Sequence, residues 1–216
     1  MKIETAFLLF AFATLPSIAL SQDLWELEQD RDGVKVYTRL EEGSLFKSFK
    51  AITVTEATSA EIVEILKDVN GYVNWFAYTE KVELLENSSQ EKYVYMETRF
   101  PWPFGNEDMI YRMTFATEAN ATTKVTLAGV PAYSPPVKGI ARMKGANGYI
   151  LLNPAGNKTE VTYYMHSELG GAIPVWMANQ YIRNLPYQTL NNLRKIASGL
   201  PSTKASVTQD RQIRLN

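Results

Sequence analysis

The chain has 216 residues, with 22 basic and 23 acidic side chains, one histidine and no cysteine. That composition excludes disulfides, thiolate nucleophiles and cysteine- or histidine-cluster zinc sites, and a net charge of -1 gives no field for nucleic acid. A hydrophobic content of 45% is enough for one domain with a full core.

Residues 1–21 read as a secretory signal: Lys2, an apolar run from Phe7 to Leu15, then Ala19-Leu20-Ser21 as a small-x-small cleavage site. The run is short for a membrane span, and an uncleaved anchor is the alternative. The expected domain is therefore 22–200, in a secreted or periplasmic protein. Asp23 to Asp30 pattern as a short amphipathic helix, Asp32-Gly33 as a turn, and Val34–Leu40 and Leu45–Thr55 as strands. Thr58 or Ser59 can cap a helix over Ala60–Val69. An aromatic cluster follows at Tyr72, Trp75, Phe76 and Tyr78, under a second short helical segment.

From Lys81 onward the pattern is strand: 82–85, 92–100, 108–117, 124–130, 142–152 and 159–169. Pro101 to Asn106 is a rigid connection and Pro131–Gly139 a loop with three prolines. Asn87, Asn120 and Asn157 open sequons, all in turns. Gly170-Gly171 leads into a long helix that opens at Pro174 and ends at Gly199-Leu200-Pro201. Its apolar stripe is Ala178, Ile182, Leu185, Thr189, Leu193, Ile196 and Leu200, with Asn192 among the polar residues opposite. Pro186 removes one backbone bond and bends it. The tail, 201–216, is polar. Strand runs bounded by helices mean α+β, with a curved antiparallel sheet wrapped round the final helix. Where sheet and helix do not meet, an apolar cavity remains.

Four stretches occur in an order that resembles START (StAR-related lipid-transfer) domains of the secreted bacterial type. They are Trp25…Asp32-Gly33-Val34-Lys35-Val36-Tyr37; Pro101-Trp102-Pro103…Asp108; Lys138-Gly139-Ile140-Ala141-Arg142; and Gly170-Gly171-x-Ile173-Pro174-x-Trp176-x-x-Asn179-Gln180. The resemblance spans about 23–200. It implies a helix-grip fold around a tunnel for one lipid or sterol, entered between the loop 131–139 and the C-terminal helix. Two departures stand out. Glu107-Asp108 replaces a frequent Arg-Asp, and Met113 stands where some members place an arginine inside the cavity.

Met109, Tyr111, Met113 and Phe115 share one strand face, and Leu127, Tyr163 and Met165 read the same way, as do Val125 and Val161. Alternation alone makes these packed core or cavity wall; the resemblance implies the wall. Trp75, Ala178 and Ile182 complete the expected lining. Arg142 matches the family's Lys-Gly-x-x-Arg position and is the candidate for a polar head group, the other reading being a structural pair with Asp108 or a glutamate. His166 falls on the outward face with Thr162 and Glu168, without a partner for a triad, and no nucleophile elbow exists. The expectation is non-catalytic binding and transfer of an apolar ligand by a monomer that touches membranes transiently and needs neither cofactor nor metal. A cyclase- or hydrolase-like cavity enzyme and a ligand-sensing module are the alternatives.

Overall fold

The structure is a computed structural model that describes residues 25–199 apart from 89, 90 and 172. The signal segment, the start of the expected domain at 22–24, Leu200 and the tail lie outside the described residues. Ten strands form one sheet: β1 Glu26–Arg31, β2 Val34–Leu40, β3 Lys47–Thr55, β4 Thr79–Asn87, β5 Glu91–Thr98, β6 Glu107–Thr117, β7 Thr123–Gly129, β8 Ala141–Arg142, β9 Gly145–Ala155 and β10 Lys158–Glu168. The order is β1-β2-β3-β10-β9-β7-β6-β5-β4, antiparallel throughout that path, with β8 paired in parallel to β6. Between β3 and β4 lie α1 (Ser59–Lys67), a 3-10 turn (Val69–Gly71) and α2 (Tyr72–Trp75). The last element is α3, Val175–Ala197. The sheet curves around α3 and does not close into a barrel.

The local devices match their residues. Thr58 caps α1 through a full capping box with Glu61. The Pro174 carbonyl accepts from the amides of Met177 and Ala178 at 3.0 Å each, and Gly199, at φ 70°, ends α3 with its amide on the Ile196 carbonyl. The α3 stripe is wider than its spacing implies, because Pro186, Tyr187 and Leu190 are buried beside Thr189 and Leu193. Asn192, expected on the polar side, is buried too: its Nδ2 donates to the Trp75 carbonyl at 3.1 Å. That carbonyl lies at the end of α2 and needs a donor once water is excluded.

The stretch expected as an N-terminal helix is the edge strand β1. Its leucine spacing suits a helix, but Asp32 (φ 51°) and Gly33 (φ 72°) make a left-handed two-residue turn that folds it back on β2. Arg183 of α3 then pairs with Glu28, and Gln29 donates to the Arg183 carbonyl, so tertiary contacts override the local pattern. The expected strand 142–152 is likewise divided, into β8 and β9.

Candidate functional site

The inner face of the sheet is built in rows. Met165, Gly148, Leu127 and Met113 are successive partners across β10, β9, β7 and β6. Gly148 has no side chain to fill its place in the row, so the Met165 thioether lies over it, 2.9 Å from where a Cβ would stand. On the next row Tyr163 pairs with Ile150. Phe49 and Phe76 meet Tyr163 edge-on, with ring centroids 4.8 and 5.7 Å away. Opposite lie Ala178, Tyr181, Ile182 and Leu185, the residues that α3 turns inward in its first three turns.

These groups enclose a cavity of about 100 Å³. Its wall includes the aromatic residues Phe46, Phe49, Tyr72, Phe76, Phe100, Tyr111, Tyr163 and Tyr181 and the methionines Met96, Met113, Met143 and Met165, and no charged side chain. This is smaller than the roughly 300–1,000 Å³ of most small-molecule sites, so loading requires the wall to move. Methionine, unbranched and polarizable, is the side chain best suited to that.

Of the expected residues, Tyr111, Met113, Leu127, Tyr163, Met165, Ala178 and Ile182 line the cavity. Four do not. Met109 is fully buried behind the wall, its sulfur packed against Gly129. Phe115 lies two positions beyond Met113 on β6 and packs on the core there. Trp75 is core, packed in the α2 cluster edge-on to Tyr72 and tilted against Phe76, with ring centroids 5.3 and 5.2 Å away. Val125 and Val161 are core as well. Sequence spacing missed Phe46, Phe100 and Tyr181. Phe100 and Tyr181 meet at 4.9 Å across 80 intervening positions, and no local pattern carries that contact.

Arg142 is also outside the wall. Its Nε and Nη2 bind the Asp108 carboxylate at 2.5 and 3.3 Å, and its Nη1 donates to the carbonyls of Pro131 and Ser134 at 2.7 and 3.1 Å. It is a strut that holds the 131–139 loop to β6, and its donors are committed. Parallel pairing of β8 with β6 sets Arg142 opposite Asp108, a register that alternation within one strand cannot reveal. The loop itself contributes nothing to the cavity wall. Tyr133 ties it further by stacking on Tyr93 at 4.7 Å and donating to Glu86.

The neighbouring carboxylate holds the start of α3. Glu107, 1% exposed, accepts the amides of Gly170 and Gly171 at 2.9 Å each. Burial pushes its carboxyl above the ordinary carboxylate range, with the two amides opposing. Gly170 is required by close approach: a Cβ there would stand 1.8 Å from the Arg142 carbonyl oxygen. The glycine pair is thus clamped, and consecutive residues of β6 fasten both the loop and the helix lead-in.

His166 is on the outer face, as alternation implies, but it has partners. Nδ1 lies 3.0 Å from Ser48 Oγ and Nε2 2.9 Å from Glu168 Oε1. Ser48 is fully buried and its hydroxyl donates to Glu41 at 2.5 Å, which leaves it no freedom to act as a nucleophile.

An antiparallel sheet gripping a C-terminal helix around an apolar cavity defines a helix-grip protein. The START domain profile matches residues 13–198. An uncharacterized protein of Pseudomonas aeruginosa is 35% identical over 180 residues, covering 83% of this chain and 89% of its own. Mouse phosphatidylcholine transfer protein is 28% identical, covering 81% and 84%. The crystal structure of a StAR-related lipid transfer protein from Xanthomonas axonopodis superposes with a TM-score of 0.77 at 35% identity, over 81% of this chain and 98% of that one. The chain belongs to the START domain family, a family of lipid-binding and lipid-transfer domains.

Proposed function

We propose that this protein carries one lipid-like molecule in the cavity and exchanges it with membranes, without altering it chemically. The observation that supports this most is the wall: aromatic and methionine-rich, without a charged group among the described residues. At about 0.8 kcal/mol per buried methylene, a single acyl chain supplies enough drive for uptake. Entry is proposed beneath the first half of α3, since that half forms one side of the cavity and the 131–139 loop forms none. The loop, tied by Arg142 and Tyr133, acts as the fixed side of the gate.

Three exposed apolar side chains support membrane contact around this entrance. Leu45 (71% exposed), Trp102 (92%) and Trp176 (65%) each lie within two positions of a lining residue, Phe46, Phe100 and Ala178 respectively. Tryptophan favours the membrane–water interface, where its ring is half in and half out. Export through the 1–21 segment is part of the proposal, and the intact mass of exported protein should begin at Gln22. Native mass spectrometry of protein purified from its host tests the main reading. A co-purifying lipid that is released unchanged is the expected result. A molecule converted on incubation would show an enzyme instead, and protein that accepts nothing from vesicles would sink the carrier reading.

A further inference from the structure

The cavity wall holds an unexplained polar feature. The hydroxyls of Tyr111 on β6 and Tyr163 on β10 face the cavity and make no hydrogen bond with any described residue. Of the other two tyrosines in the wall, Tyr72 donates its hydroxyl to the Leu66 carbonyl, and Tyr181 stands on α3, not on the sheet. Both side chains border the cavity and neither hydroxyl is tied to a protein group, so a ligand in that space can supply the partner.

We infer that Tyr111 and Tyr163 together read an uncharged oxygen of the ligand, such as a hydroxyl, ketone or ester carbonyl. The inference rests on the carrier reading above and names the chemistry of its cargo. Burial holds both phenols well above their usual pKa of 10.0, so they stay neutral and keep their protons as donors. A neutral pair can donate to a carbonyl, and can donate to and accept from a hydroxyl. It cannot offset the desolvation of a phosphate, carboxylate or ammonium, and no lining side chain carries a charge that could. Arg142, the nearest candidate for an anion, is held by Asp108, Pro131 and Ser134 outside the wall. The preferred cargo is therefore an apolar molecule that carries a neutral oxygen, and charged or zwitterionic head groups are disfavoured inside.

The test uses ten-carbon probes that differ only in the polar group: decane, decan-1-ol, decan-2-one, decanoate and decyltrimethylammonium. Each competes with an uncharged solvatochromic dye bound to the full chain. In Tyr111→Phe/Tyr163→Phe, affinity for the alcohol and the ketone should fall by about tenfold or more while that for decane holds. Each change deletes only an oxygen without a partner, so thermal stability should not drop. If the double variant does not fold, the single variants should each show part of the same selective loss. Alcohol and ketone affinities within about twofold of wild type in the variants would overturn the inference. So would tighter wild-type binding of decanoate or decyltrimethylammonium than of the alcohol, which would mean an ion-reading cavity. If wild type binds none of the five, decane included, the carrier reading itself fails, an outcome distinct from binding without selectivity.

Discussion

The two halves of α3 are one continuous helix with opposite surroundings. The second half is built into the core: Pro186, Tyr187, Leu190 and Leu193 are buried, and so are the polar Thr189 and Asn192. Thr189 Oγ1 accepts the Ala77 amide at 3.2 Å, Asn192 holds the Trp75 carbonyl, and Tyr187 donates to Asp32 while the Arg31 guanidinium lies 4.0 Å from its ring. The first half faces the cavity instead, with Ala178 the buried residue among its first three turns and Trp176 in the open. Its ties are polar: Asn179 accepts the Lys47 amide at 3.1 Å, Arg183 pairs with Glu28, and Glu107 holds the glycine pair that leads in. A wall that must move to admit cargo is placed where few buried contacts break, and the anchor is placed where many would.

The sharpest test is a pair of truncations. Leu190, 1% exposed, should cost about 2–5 kcal/mol as Leu190→Ala, because the packed core cannot close over the hole. Ile182→Ala should cost less than about 1 kcal/mol, because its side chain already borders a cavity, and should instead weaken retention of a bound probe. Urea denaturation measures both, and equal losses would abolish the distinction between the halves. Next come the polar ties. Asn192→Ala leaves the Trp75 carbonyl unpaired in the core and should cost about 1–3 kcal/mol. Asn179→Ala frees an amide that water can reach, and a loss below about 1 kcal/mol is expected in the same titration.

Sequence made much of this arrangement legible, for identifiable reasons. Alternation is local, so the inward faces of β6, β7 and β10 could be read from spacing alone, Tyr111, Met113, Leu127, Tyr163 and Met165 included. The ends of α3 were equally clear from Pro174 and Gly199. How far the wall extends along each strand was not, since Met109, Phe115 and Trp75 have the right character but lie behind or beyond it. Asn192 was misplaced because its surroundings come from α2, distant in sequence; for Arg142 the sequence left a head-group contact and a pair with Asp108 both open, and the β6–β8 pairing decides for Asp108. β1 failed for the same reason: a charged edge strand has no apolar rhythm of its own, and its turn and α3 decide its conformation.

Glu107→Gln probes the lead-in to the cavity-facing half. The amide side chain keeps one acceptor for two backbone donors and turns its own N–H groups toward the second. The helix start should loosen, with a loss of about 1 kcal/mol and faster exchange of a bound probe with vesicles. The pH dependence has a definite sign. Burial raises the Glu107 carboxyl above its ordinary 4.5 in the folded protein, so the native state binds this proton more tightly than the unfolded chain does. Its contribution to stability is full below pH 4.5 and is lost as pH rises through the raised folded value. The difference between wild type and variant, followed by denaturation from pH 4.5 upward, should therefore shrink toward a plateau. A difference that grows with pH would mean that the two amides outweigh burial.

The smallest effect on stability is expected where the halves meet. Pro186 has no N–H, so the Ile182 carbonyl lacks its helical donor at the boundary between the cavity wall and the anchor. Pro186→Ala restores that donor and relieves the ring's conflict with the preceding turn, a gain that can reach about 3 kcal/mol in an exposed helix. Here the ring is itself buried against the core, and losing it opens a small hole. The two terms oppose each other, and the net change in the denaturation midpoint should be small. Exchange should change more than stability does. With the backbone ladder continuous through residue 186, the first half can bend away only by straining the second, and transfer of a bound probe to vesicles should slow. A variant that exchanges as fast as wild type at unchanged stability would remove Pro186 from the path of exchange, and it would then be a packing residue that happens to sit at the boundary.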